Sequence, residues 1–245
     1  MASIEIREVK TVEEREAVFN LRYRIYVLER GCAQKYADHT HQRIEEPQDP
    51  PAGTGSLETG VILGAFSQNE LLGTLRINQV EALGQEYATW YGLSHFRLKN
   101  KHKPTATTKF CIEPRSRGTR AALYLVSAAF EYALRRGSVI SFLDCNPPLY
   151  RMFLKMGFRQ AVPDCEHPEY GRVHPMYLLL NDLNHLEKIG SPFLKFRELM
   201  NPECESVLYF QALTSNLRPT ANCGKEAGRC KMQPYGCERF QTLPF

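Results

Sequence analysis

The chain has 245 residues, 43% of them hydrophobic, and a formal net charge of +4, which suits one αβ domain with an appendage. Its basic residues are dispersed and match no known nucleic-acid reader, so we do not expect a nucleic-acid partner. We find no run apolar enough to span a bilayer and no signal-peptide pattern at the N-terminus, so the expected location is the cytoplasm.

The first predicted helix begins after Thr11, which forms a capping box with Glu14, and it ends at Gly31. Apolar residues recur through it at helical spacing. Arg22 and Tyr26 lie within this apolar stretch. They fit a binding role, and they fit an amphipathic surface helix with ordinary snorkelling arginines equally well.

Residues 45–60 form a predicted loop with three prolines and three glycines. Glu46 and Asp49 lie at its start, three residues apart. Such a loop either closes over a bound molecule or is a plain surface connection, and the sequence leaves both readings open.

Residues 61–66 and 71–77 are predicted to form a β-hairpin. Residues 84–104 contain a candidate short helix and a basic run at 97–103. A basic run is usually solvated surface, but it would also suit docking of an acidic protein.

The central unit of the sequence is a strand, a turn, an Ala-rich helix and a second strand. The first strand, 107–112, alternates in polarity and stops at Pro114, because proline cannot donate to a sheet ladder. The helix carries an apolar stripe and stops at Gly137. A second strand follows at 138–145.

Three arginines, Arg115, Arg117 and Arg120, surround Gly118 in the turn before the Ala-rich helix. A helix N-terminus with free N–H groups and nearby cations favours an anion, usually phosphate. The alternative is that these arginines merely solvate the helix end.

This order of elements, followed by Asn146 and by MetPheLeuLysMetGlyPhe at 152–158, resembles the acyl-donor half of the GNAT superfamily of N-acetyltransferases. There a Gln/Arg-x-x-Gly-x-Gly/Ala turn wraps the pyrophosphate of coenzyme A. Residues 117–122 match its first and last positions, but Arg120 replaces the central glycine. That side chain impedes close approach of a pyrophosphate, so the departure favours the single phosphate of a carrier-protein phosphopantetheine arm.

The N-terminal half resembles the autoinducer synthase and N-acyl amino acid synthase branch of that superfamily, and also the acyltransferases found beside exosortase systems. The matching positions are Arg22 and Tyr26, Glu46 and Asp49, Gly73 and Arg76, and Thr108 to Phe110.

This chain departs from the branch at several positions. Ala106 replaces a glutamate of autoinducer synthases, which argues against homoserine lactone synthesis, and Cys32 replaces a tryptophan. Phe153 replaces the tyrosine that serves many acetyltransferases as the acid for the leaving thiolate. Tyr150 lies one turn away and would substitute only in a rotated or shifted helix.

The resemblance implies an α/β fold of the GNAT acyl-CoA N-acyltransferase type, with a central mixed sheet flanked by helices, over residues 1–200. Residues 201–245 are expected to form a Cys-containing extension. The implied activity moves an acyl group, in this branch a fatty acyl group, from an acyl carrier protein or CoA thioester to an amine of an amino acid, small amine or peptide side chain. Acyl-ACP or acyl-CoA is thus the co-substrate, and we expect no tightly bound cofactor.

Two alternatives stay open. One is an acetyl-CoA-dependent N-acetyltransferase, and the other is a catalytically silent binding module with the same fold. Turnover of an acyl thioester separates the enzymes from the binding module.

The resemblance and the residue chemistry together predict three groups of site residues. The predicted catalytic residues are Glu46, Asp49, Arg76 and Lys109. The predicted acceptor-binding residues are Arg22 and Tyr26. The predicted acyl-donor-binding residues are Phe110, Cys111, Ile112, Arg115, Arg117, Gly118, Thr119, Arg120, Ala121 and Ala122.

Several roles within these groups are left open. Arg22, Arg76 and Lys109 would either orient an acceptor carboxylate or brace the two acids. The acids, or a histidine such as His39 or His41, would steer the proton.

The eight cysteines are expected to be free thiols. Cys111 and Cys145 fit buried packing, and a covalent acyl-enzyme through one of them is the alternative. Cys223, Cys230 and Cys237 recur every seven residues, a spacing unlike zinc sites, so we predict no metal.

Overall fold

The computed structural model describes residues 3–52 and 60–214. Its helices are α1 (Val12–Tyr23), α2 (Gln85–Trp90), α3 (Leu93–Phe96), α4 (Ala121–Arg135), α5 (Tyr150–Met156), α6 (Leu183–Ile189) and α7 (Glu205–Thr214). Its strands are β1 (Glu5–Glu8), β2 (Ala37–Asp38), β3 (Arg43–Ile44), β4 (Val61–Ser67), β5 (Glu70–Gln79), β6 (Thr105–Ile112), β7 (Ile140–Cys145), β8 (Arg159–Gln160), β9 (Cys165–His167) and β10 (Gly171–Leu179).

Eight strands form one sheet in the order β1-β4-β5-β6-β7-β10-β8, with β9 also paired to β10. β6 and β7 run parallel, and the other neighbours in this sheet are antiparallel. The short strands β2 and β3 form a separate pair. The mixed sheet flanked by helices confirms the predicted fold class.

Helix α1 begins as predicted, because Thr11 Oγ1 accepts from the Glu14 N–H and the Glu14 carboxylate accepts from the Thr11 N–H. After Tyr23 the chain continues as a π-helical segment, Arg24–Glu29, before Gly31 adopts a φ of +63°. Leu28 is exposed although the apolar pattern includes it, because the wider π-helical turn changes which residues face the core.

The two faces of the sheet are covered by different helices. Along β4, Val61, Leu63 and Ala65 pack in the core beneath α4, whereas Ile62 and Phe66 pack against α1. This follows from the two-residue period of a strand, which sends successive side chains to opposite faces.

The hairpin of β4 and β5 turns at Gln68 and Asn69, which have φ values of 50° and 65°. Two left-handed residues are typical of the tight hairpin turn that matches strand twist. The sequence-predicted hairpin is thereby confirmed.

Helix α7 lies in the segment predicted as an extension. Its Val207 and Phe210 are buried in a core that also contains Phe142 and Tyr177. The start of the predicted extension is therefore helical and packs against the core. The boundary near residue 200 stays a prediction, and Cys223, Cys230 and Cys237 lie outside the described residues.

No helix in residues 3–52 and 60–214 combines the length and the apolar character needed to cross a membrane.

Candidate active site

A buried cluster of ion pairs joins five residues from four parts of the chain. They are Arg22 of α1, Glu46 and Asp49 of the loop after β3, Arg76 of β5 and Lys109 of β6. Asp49 accepts from Arg22 Nη1 at 2.7 Å and from Arg76 Nη1 at 3.2 Å. Glu46 accepts from the same Arg76 nitrogen at 2.9 Å and from Lys109 Nζ at 2.5 Å. Three cations thus meet two carboxylates, which leaves the cluster with one excess positive charge.

The cluster also has more hydrogen-bond donors than acceptors. Within the described part of the chain, Arg22 Nε and Nη2 and Arg76 Nη2 are buried without a partner. Arg22, Arg76 and Asp49 have fully buried side chains, so they brace the loop of Glu46 and Asp49 against the sheet.

The arginines and Lys109 keep both acids ionised. Burial on its own would raise the pKa of Asp49, but Arg22 and Arg76 hold that pKa well below its usual value. Burial opposes ionisation of Glu46 as well, and the charges of Lys109 and Arg76 still lower its pKa. Neither carboxylate is therefore a good proton acceptor at neutral pH.

These lowered pKa values predict a loss of stability in acid. The folded-state pKa of Asp49 lies below its unfolded value. Its contribution to the free energy of unfolding is therefore complete above the unfolded pKa, and it disappears as the pH falls from about 5 toward the folded pKa. We expect the urea midpoint to fall over that range. In Asp49→Asn the urea midpoint should depend less steeply on pH. Glu187→Gln, which removes an exposed ion-pair partner, should keep the wild-type pH dependence. Equal pH dependence in all three proteins would contradict this assignment.

A cleft opens where β6 and β7 separate. The two strands pair only from Thr105 to Thr107 with Ser141 to Leu143. Beyond this, β6 carries a bulge opposite β5, and Lys109 has a left-handed φ of 53°.

The cleft has a volume of about 600 Å³, counting space open to solvent. It is lined by Tyr26, Tyr87, Thr107, Thr108, Lys109, Phe110, Leu143, Asp144, Cys145, Asn146, Leu149, Phe153 and Tyr170. Of the residues predicted as catalytic, Lys109 lines this cleft, while Arg76, Glu46 and Asp49 lie behind it. Of the predicted acceptor-binding pair, Tyr26 lines it and Arg22 does not.

Tyr170 and Gln34 extend the cluster and were missed in the sequence. The Tyr170 hydroxyl accepts from Lys109 Nζ and donates to Gln34 Oε1 at 3.3 Å. Burial raises the pKa of Tyr170 well above its usual value, so the phenol stays neutral. These contacts span more than sixty positions along the chain and carry no periodic signal.

Asp144 was also missed. It lies on β7 in the cleft wall, half-buried, and accepts from the Tyr91 hydroxyl at 3.0 Å. Burial raises its pKa, against the smaller effects of the Tyr91 hydrogen bond and the Lys109 charge.

The three arginines predicted to bind phosphate lie at the start of α4, but two of them have acidic partners. Arg117 forms a bidentate pair with Glu29 at 2.7 Å for both bonds, and Arg115 pairs with Glu70. Arg120 is exposed, 3.5 Å from the Tyr124 hydroxyl.

The remaining predicted donor residues continue around the same turn. Thr119 Oγ1 accepts from the Ala121 N–H at 3.2 Å, in the first turn of α4. Gly118 has a φ of +76° and open space around its α-carbon. Ala122 follows in the helix, and Ile112 ends β6 before the turn.

The thiols and histidines that were candidates from the sequence have surroundings unfavourable for catalysis. Burial raises the pKa of Cys111, and burial with the Asp144 charge raises that of Cys145 to about 12, so both thiols stay protonated. His41 pairs with Asp38 and His39 with Tyr23, and neither histidine lines the cleft. No cluster of three or more potential metal ligands occurs within the described ranges.

A sequence model of the N-acyl amino acid synthase FeeM family matches residues 17–182, more than half of the chain. No curated protein sequence matches the chain at a significant level.

Several solved structures share the fold at low sequence identity. FeeM, an N-acyl amino acid synthase from uncultured soil microbes, is 17% identical with a TM-score of 0.59, over 82% of this chain and 100% of FeeM. The CoA-dependent acyl-homoserine lactone synthase BjaI, in complex with SAM and isopentyl-CoA, is 15% identical with a TM-score of 0.58, over 86% and 100%. Escherichia coli ElaA is 16% identical with a TM-score of 0.51, over 72% and 99%.

Proposed function

Because this chain belongs to the N-acyl amino acid synthase FeeM family and is an N-acyltransferase that uses acyl thioesters, we propose that it transfers a fatty acyl group from acyl carrier protein to the α-amine of an amino acid. The observation that carries the acceptor assignment is the position of Lys109. Lys109 lines the cleft, and its ammonium group pairs with Glu46 in a cluster with one excess positive charge. An uncompensated buried charge is costly, so this cluster favours an anionic ligand, and the acceptor carboxylate supplies one.

The acyl thioester fits the opening between β6 and β7. Beyond Thr107 the β6 edge has no ladder partner on β7, so its backbone groups are available to the amides of a pantetheine arm. A bulge re-aims backbone groups, and N–H groups at this position would stabilise the oxyanion formed when the amine attacks the thioester carbonyl.

A fatty acyl chain would have to widen a small apolar cavity that adjoins the cleft. This second cavity of about 350 Å³, again counting open space, lies beneath α4 and shares Thr107 and Leu143 with the cleft. Its remaining lining is Ile77, Val126, Ala129, Phe130, Ala133, Ser141, Phe158, Leu178, Leu180 and Phe193. Each buried methylene contributes about 0.8 kcal/mol, which supports a long acyl group over acetyl.

The choice of carrier protein over coenzyme A rests on Arg120. Its exposed guanidinium stands at the helix start, where a bulky residue hinders a pyrophosphate but can pair with one phosphate.

Arg120→Ala is expected to raise the KM for acyl carrier protein about threefold to fivefold, the equivalent of an exposed ion pair of up to about 1 kcal/mol. The matched control is Arg136→Ala at the other end of α4, which should leave this KM unchanged. Steady-state kinetics with both donors checks the result. Unchanged use of acyl carrier protein, together with better use of acyl-CoA in Arg120→Ala, would reverse the donor assignment.

The activity itself is tested by mass spectrometry of reactions with hexadecanoyl and octanoyl carrier protein and with acetyl-CoA, each against a pool of amino acids. We expect loss of the long acyl group from carrier protein and a new N-acyl amino acid. Consumption of acetyl-CoA alone would support an acetyltransferase instead, and turnover of acyl-CoA but not acyl-ACP would change the donor.

A further inference from the structure

Asp144 is the one carboxylate among the described residues that line the cleft. It follows directly after Leu143, the last β7 residue paired with β6, so it lies where the two strands begin to separate. Lys109 lines the cleft from β6. The cleft therefore holds an anion and a cation on its two strand walls, which suits the ammonium and carboxylate groups of one amino acid.

The other acid-base groups nearby are poor proton acceptors. Glu46 is ion-paired with Lys109 and Arg76, and its pKa is lowered. Tyr26 and Tyr170 are buried phenols with raised pKa values. His167 already accepts from the Glu169 N–H through Nδ1, and it does not line the cleft.

We propose that Asp144 is the catalytic base that accepts the proton of the acceptor amine, held in place by Tyr91. This inference rests on the proposed transfer to an amino acid. Tyr91 is fully buried, its ring stacks on Phe142 with centroids 5.5 Å apart, and its hydroxyl donates to Asp144 Oδ1. Tyr91 is thus a positioning residue, because it acts on the substrate only through Asp144.

With Asp144 as the base, every proton lost by the amine is accounted for. The ammonium group gives one proton to Asp144, and the freed lone pair attacks the thioester carbonyl carbon, so a C–N bond forms. The oxyanion then collapses, the C–S bond breaks and the thiolate leaves. Nitrogen loses a second proton as the amide forms; one of the two protons ends on the thiol and the other passes to solvent.

The charged and titratable groups around Asp144 support a pH-dependent role. Tyr87 and Tyr91 face it from α2 and its C-terminal cap, Lys109 from β6, Cys145 is its neighbour on β7, and Cys165 on β9 is within electrostatic range. Burial has the largest effect and raises the pKa of Asp144 toward the range in which a general base is most effective.

The test compares Asp144→Asn with Asp164→Asn, which removes a carboxylate outside the cleft. With acyl carrier protein and an amino acid as substrates, Asp144→Asn should lower kcat about 100-fold or more. It should also remove the acidic limb of the plot of kcat/KM against pH. Asp164→Asn should keep both. In Asp144→Ala, added formate should restore part of the lost rate.

Tyr91→Phe keeps the inference testable if Asp144→Asn folds poorly. Loss of this hydrogen bond removes an effect that lowers the pKa of Asp144, so the acidic limb should move to higher pH. Wild-type kcat and acidic limb in Asp144→Asn, or an unmoved limb in Tyr91→Phe, would overturn the role of Asp144. Failure of the wild-type enzyme to acylate any amino acid would instead overturn the proposed function.

Discussion

Asp49→Asn is expected to lower the free energy of unfolding by about 3–5 kcal/mol, the usual cost of removing one partner from a buried ion pair. Both Asp49 and Arg22 have fully buried side chains, and they are joined by a 2.7 Å hydrogen bond. Arg22 cannot shed its proton, because a guanidinium stays charged in proteins. The substitution therefore leaves a charge in the core opposite a neutral amide.

Urea unfolding measures this loss, and two further variants control for it. Glu187→Gln breaks an exposed pair with Arg197 and should cost less than about 1 kcal/mol. The double variant Arg22→Met with Asp49→Leu replaces the pair by apolar groups and should recover much of the stability. A cost for Asp49→Asn no larger than that for Glu187→Gln would show that the cluster is not the brace described here.

Lys109→Met is expected to reduce kcat/KM for an amino acid about 10-fold to 150-fold, which corresponds to a charged hydrogen bond of about 1.5–3 kcal/mol. Methionine keeps much of the side-chain length of this cleft-lining residue but removes its ammonium group. Lys109→Arg should keep more activity, because the charge remains. Lys188→Met, at an exposed lysine in the last turn of α6, should have no effect.

A second substrate separates binding of the carboxylate from damage to the fold. The decarboxylated amine lacks the group that Lys109 is proposed to bind, so wild type and Lys109→Met should use it with similar kcat/KM. An equal loss toward the amino acid and the amine would mean that Lys109 serves only to hold Glu46 and the β6 bulge.

Local sequence signals identified α1, the β4–β5 hairpin, β6, α4 and β7. The Thr11 capping box, the Gln68–Asn69 hairpin turn and the Ala-rich stripe of α4 each report on contacts within a few residues. Strand β10 was not predicted, and Pro175 within it is a residue type uncommon inside a sheet. The π-helical segment after Tyr23 has no sequence signature of its own.

The candidate site was only partly predictable. Glu46, Arg76 and Lys109 were identified through a family pattern, and the structure brings them together. Asp144 and Tyr170 come from strands or loops distant in sequence, so only the three-dimensional structure shows that they share a cleft. Sequence patterns report neighbours along one element, whereas a catalytic group depends on pairings between elements.

The most direct test of the central claim is a competition experiment. Wild-type enzyme is given hexadecanoyl carrier protein as the donor, together with equal amounts of an amino acid and its decarboxylated amine. Mass spectrometry of the products gives the ratio of the two kcat/KM values. We predict that the N-acyl amino acid dominates, by about 10-fold or more if one charged hydrogen bond to the carboxylate is made. Equal acylation of both acceptors, or preference for the amine, would contradict an amino acid synthase.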